Sequence, residues 1–170
     1  LNVDGRKLAI LCQKVENLIV GAPCGVMDQM TAACGENNSL LALLCQPAEL
    51  QGPVPLPDTI EIWGIDSGVR HAVSGADYGS VRIGAFMGYR IIAEQQGLAV
   101  ARSKDDSLTV EDPQWQGYLA NIPPSLWEMK YRASLPTSLL GATFLEQYEG
   151  STDTVTRIDP QRTYSVQQPT

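Results

Sequence analysis

Prolines and glycines cut this chain into short pieces, and that partition limits the fold before any motif is read. Proline removes a backbone donor and glycine loosens the chain, so neither favours a helix interior. Gly21 and Pro23 close a first helical stretch, Pro53, Pro55 and Pro57 keep residues 51–58 out of helix, and Pro123, Pro124 and Pro136 punctuate the last third. What remains is short helices and short strands, the material of an α+β fold.

Asn2 or Asp4 can cap a first helix whose Leu8, Leu11, Val15 and Leu18 recur at spacings of three and four. Residues 25–33 read as a second helix, with Val26, Met30 and Ala33 on one side and Asp28 in its first turn. Residues 40–45 and 59–66 have strand composition and are expected to share a sheet across the 51–58 loop. A third helix is expected over residues 80–96, with Val81, Ala85, Gly88 and Ile92 down one face, and its Gly84 and Gly88 leave room for a close neighbour. Residues 98–113 read as a polar connection with one short strand or ordered turn, residues 114–119, 125–132 and 137–148 as short helices, and 154–166 as a strand or extended tail.

A chain of 170 residues with 44% hydrophobic and 18% charged residues can bury a real core, as one domain or as parts of two. Its net charge of -7 argues against nucleic acid or an anionic membrane as partner, because either requires a basic surface. Cys12, Cys24, Cys34 and Cys45 never approach a C-x-x-C spacing, so buried reduced thiols are expected and a metal is not. The absence of a signal peptide and of any apolar run long enough for a membrane span points to a cytoplasmic protein. Leu1 is not an initiator methionine, and the first residues read as cut from a longer chain.

The chemistry is concentrated in Gly21-Ala22-Pro23-Cys24-Gly25-Val26-Met27-Asp28-Gln29-Met30, a tight turn that feeds a helix. A carboxylate in a first helical turn meets unpaired backbone N–H groups and the positive end of the dipole, which favour its ionised form. Such a group can accept a proton from a hydroxyl nucleophile or orient it, as phosphoryl transfer to an alcohol requires. Plain helix capping accounts for the same placement, and on spacing alone it is the commoner reason.

Residues 23–29 resemble the galactokinase motif P-C-G-I-M-D-Q with Val26 in place of Ile, and Glu16-Asn17 lies upstream as in that family. Asp66-Ser67-Gly68-Val69-Arg70-His71, then Ala76-Asp77-Tyr78 and Val81-Arg82, are similar to its N-S-N-V-R-H, S-E-Y and V-R-R segments. Residues 21–35, 45–49, 63–68, 75–78 and 118–124, with Ile158-Asp159-Pro160 and Thr163-Tyr164, extend the likeness to the L-arabinokinases. On these motifs the chain resembles the GHMP small-molecule kinases, in their galactokinase branch.

That resemblance implies a two-part α+β fold, incomplete here, in which residues 1–56 end the N-terminal half and 57–170 begin the C-terminal half. It implies transfer of the γ-phosphate of ATP, with Mg2+, to the anomeric hydroxyl of L-arabinose or galactose. Asp28 takes the catalytic position, Gly25 a sugar-contacting backbone position and Tyr78 the tyrosine that hydrogen-bonds the ring. Cys24, Gln29, Arg70 and Arg82 are supporting groups, and His71 has no part as a base. The family's N-terminal arginine and acidic cluster, its glycine- and serine-rich phosphate loop and its C-terminal glycine-rich motif have no match, so the chain alone is expected to be inactive. Gly21 to Gly25 does not replace the loop, since no Lys and Ser/Thr follow it. A non-catalytic sugar-binding or regulatory relative is the alternative.

Overall fold

A computed structural model describes residues 3–69, 76–104 and 106–167. They gather into two compact units, Leu1–Ser74 and Gly75–Thr170.

In the first unit, α1 spans Gly5–Val15, and Asp4 is its cap, accepting the Lys7 N–H at 3.0 Å. The helix loosens into a π-type turn over Glu16–Val20 and stops at Gly21, whose φ of 78° is the left-handed conformation glycine adopts without steric cost. α2 spans Met27–Cys34. Its Val26 and Met30 face inward as expected, and with Ala9 and Ala48 they form a small core against which Ala33 packs. β1 (Ser39–Leu44) and β2 (Glu49–Pro55) make an antiparallel hairpin from Ser39↔Pro55 to Leu44↔Glu49, irregular between Ala42 and Leu43. Arg6 Nε donates to the Ala48 carbonyl at 2.6 Å and ties α1 to the hairpin's turn.

Three expectations change here. The partner of β1 is β2, drawn largely from the supposed 51–58 loop, whereas residues 59–66 form no regular strand. Pro53 and Pro55 are tolerated because a two-stranded hairpin is all edge, where a missing N–H costs no interior ladder bond. Leu8, Leu11, Val15 and Leu18 are exposed. α1 meets α2 through its small residues instead: a Cβ added at Gly5 would stand 2.7 Å from the Ala33 carbonyl oxygen, and Ala9 is the buried side chain. The cysteines are free, but Cys12 and Cys45 are exposed and Cys24 and Cys34 half-buried, so burial is not their common property.

The second unit is organised around α3 (Ala76–Gln95). Tyr89, Ile92 and Ala93 enter one core with Trp115, Leu119, Ile122, Trp127 and Tyr131, and Ile83, Met87 and Ile91 enter another with Phe144 and Tyr164. The helix is therefore buried on a broader arc than the expected stripe, from which Val81 is excluded and left exposed. The glycine pair does admit a close neighbour. β5 (Ser138–Leu140) and β6 (Thr163–Ser165) pair antiparallel, and a Cβ at Gly84 would lie 2.0 Å from the Ser165 carbonyl oxygen.

Residues 98–113 hold two short paired strands, β3 (Val100–Arg102) and β4 (Leu108–Val110). Residues 114–119 are turns that lead into a 3-10 turn at Leu119–Asn121, because the Asp112 carboxylate takes the N–H groups of Gln114, Trp115 and Gly117. The short α4 (Pro124–Leu126) continues as a π-type turn to Tyr131, and α5 (Gly141–Tyr148) begins only after β5. Among the described residues no helix is long and apolar enough to cross a membrane.

Candidate functional site

Asp28 is the second residue of α2, as its sequence position implies, and it is exposed. Val26 closes the first helical bond, accepting the Met30 N–H at 2.9 Å, and supplies no side-chain cap. The leading N–H groups of α2 therefore present a positive end beside the carboxylate. Among the described residues nothing hydrogen-bonds or pairs with the Asp28 side chain, so its oxygens are open to a hydroxyl arriving from outside. Gly25 is exposed just before it, and a Cβ built there would meet nothing within 4 Å. The backbone at Gly25 thus borders open space.

The turn is fastened from beneath by a carboxylate. Glu16 Oε2 accepts the Cys24 thiol at 3.0 Å and the Gln29 side-chain amide, while the Gln13 amide donates to the Cys24 carbonyl at 3.3 Å. Burial, then the hydrogen bond and charge of Glu16, push the Cys24 thiol up, so it remains a protonated donor. Cys24 and Gln29 therefore act on the turn, joining the end of the first helix to the first turn of α2. Glu16 was missed as a site residue in the sequence. Its place twelve residues before Asp28, beside the quoted motif, was the available signal, but only the folded turn shows what it holds.

In the second unit, Tyr78 lies in the first turn of α3 and is 41% exposed. Arg82, one turn on, is engaged within the fold: its Nε and Nη2 reach the two oxygens of Asp153 at 2.9 Å each, and its guanidinium lies 5.1 Å from the Phe86 ring centre. Arg70 and His71 lie outside the described residues. Gly25, Asp28, Cys24 and Gln29 share the first unit, whereas Tyr78 and Arg82 belong to the second. The described residues include no group of three His, Cys, Asp or Glu placed to hold a metal ion. The Gly21–Gly25 turn also lacks the lysine and hydroxyl of a phosphate loop, so the residues present do not themselves make a site for ATP and Mg2+.

Comparison with known proteins bears on this geometry. Over 99% of its length the chain is 50% identical to L-arabinokinase of Arabidopsis thaliana, and it is 37% identical to the galactokinase of Chloroflexus aggregans over 62%. The chain is a homologue of L-arabinokinase and the galactokinases. A galactokinase of Pasteurella multocida matches over 98% of this sugar-kinase homologue at 27% identity. The homologue spans 18% of the Arabidopsis relative, 28% of the Chloroflexus one and 45% of the Pasteurella one. No family model and no solved structure matches it.

Proposed function

We propose that this chain is part of an ATP-dependent sugar-1-kinase that phosphorylates the anomeric hydroxyl of L-arabinose or galactose, built on the two-part GHMP-kinase fold. The observation that carries the reading is the exposed, unpartnered Asp28 carboxylate at the start of α2, inside a stretch half identical to L-arabinokinase. In this reading residues 1–56 close the N-terminal half and 57–170 open the C-terminal half. Asp28 accepts the proton of the C1 hydroxyl or holds that oxygen in line, while the dipole of α2 keeps the carboxylate ionised. Gly25 brings backbone to the sugar without a side chain in the way, and Tyr78 donates its phenol to a ring oxygen. Mg-ATP, held by residues outside this chain, supplies the phosphoryl group. The isolated chain is accordingly inactive, and the enzyme works in the cytoplasm.

The test is a coupled ATP-consumption assay of the longer polypeptide that carries this chain, run against a panel of aldoses. Asp28→Asn should lower turnover on the order of 10²–10⁴-fold, the usual contribution of a general base, with sugar affinity much less changed. Near-normal turnover in that variant removes Asp28 from the chemistry. Sugar binding without ATP consumption in the unaltered protein would make it a non-catalytic sugar-binding relative.

A further inference from the structure

We infer that Arg82 is a positioning residue for sugar selectivity: through Asp153 it holds residues 151–156 beside Tyr78 as one wall of the sugar pocket. The inference deepens the sugar-kinase reading above and rests on it. Tyr78 and Arg82 stand four apart on α3, so they share a face with Cβ atoms about 5–6 Å apart. A long helical side chain leans back over the turn that precedes it, so a group gripped by Arg82 lies over the turn that carries Tyr78.

The gripped group is well defined. The Asp153 side chain is 1% exposed and accepts both arms of the Arg82 fork, at 2.9 Å each. It also accepts the Val155 N–H at 2.9 Å and the Thr156 hydroxyl, while its own N–H donates to Ser151 Oγ at 3.3 Å. One carboxylate thus fixes the path from 151 to 156, and one arginine fixes that carboxylate. Beside it, the Thr152 hydroxyl is buried and has no partner among the described residues, a polar group the fold leaves unused. A bidentate pair of this kind is sensitive to direction as well as charge. The two candidate sugars differ by a hydroxymethyl group, so a small displacement of this wall changes their relative fit.

Arg82→Lys keeps the charge and the apolar stem but loses the fork, and Asp153→Asn keeps the shape but loses the charge. Both are made in the longer polypeptide. Three quantities are measured: hydrogen exchange of 151–156, the calorimetric Kd for L-arabinose and for galactose, and the KM for each sugar and for ATP. Faster exchange is expected, with sugar Kd and KM raised about tenfold, the size of one charge-assisted hydrogen bond, and the ATP KM unchanged. The arabinose-to-galactose ratio should move with them. Faster exchange with both sugar constants and their ratio unaltered would reduce the pair to scaffolding and overturn the inference. If the unaltered protein binds sugar without turnover, the kinase reading fails while the Kd ratio still decides this one. Binding of neither sugar defeats both.

Discussion

Replacing Asp112 with alanine should destabilise the second unit by about 4 kcal/mol, because one carboxylate there satisfies four donors. Its Oδ2 accepts the Tyr89 phenol at 2.8 Å and the Gly117 N–H at 3.2 Å, and its Oδ1 accepts Gln114 and Trp115 N–H at 3.0 and 2.9 Å. Tyr89 is 1% exposed, so alanine strands a buried hydroxyl and a buried Trp115 N–H at roughly 1–3 kcal/mol each, plus the two partly wetted donors. Tyr89→Phe removes one donor and leaves the carboxylate three, so about 1.5 kcal/mol is expected.

Burial pushes the Asp112 carboxyl up, but the N–H of Trp115, the Tyr89 phenol and the N–H groups of Gly117 and Gln114 outweigh it and hold the group below its ordinary value. Because the folded value is depressed, the contribution is fully present above about pH 4 and is lost as pH falls through the lowered value. The assay is urea denaturation followed by tryptophan fluorescence, since Trp115 and Trp127 are buried in this unit whereas Trp63 is exposed. An Asp112→Ala midpoint corresponding to less than about 1 kcal/mol would refute the reasoning, as would an acid limb identical to that of the unaltered chain.

Gly84→Ala should cost roughly 2 kcal/mol, since its Cβ would overlap a backbone oxygen, while Gly79→Ala, where a Cβ meets nothing within 4 Å, should gain up to about 1 kcal/mol; urea midpoints compare them. Maleimide labelling at pH 8 should modify Cys12 and Cys45 well before Cys24. Raising the pH should narrow that gap, and Glu16→Gln should speed Cys24 by removing the anion that holds its thiol up. Any stability the raised thiol confers is present below the ordinary value of 9.0 and lost as pH climbs through the raised one. Tyr78→Phe should raise the sugar KM of the longer enzyme by the worth of one hydrogen bond, about 0.5–1.5 kcal/mol, and an unchanged KM would take Tyr78 out of the pocket.

Local rules located the helices whose ends are written in their own residues. Asp4 and Gly21 bracket the first, Asp28 sits where the turn before α2 places it, and the Gly84–Gly88 pair announced a close neighbour without saying which. What failed was pairing. Residues 59–66 carry strand composition, yet composition cannot supply a partner strand, and the proline-bearing 49–55 took that role because an edge does not need every donor. The apolar rhythm of α1 was real but misread, since contact with α2 runs through Gly5 and Ala9. Around the candidate site, motif residues were visible one by one. The grip of Glu16 on Cys24 and Gln29, and of Asp153 on Arg82 across 71 positions, arises only from folding.

The core beneath Asp28 is thin: Ala9, Val26, Met30 and Ala48, against two larger clusters in the other unit. The half of the chain that carries the reactive carboxylate is thus the half with least to resist heat. Anything that docks against its turn will be felt there as added thermal endurance, growing with ligand concentration. A sugar could then be recognised by the temperature this half survives, before a single phosphate has moved.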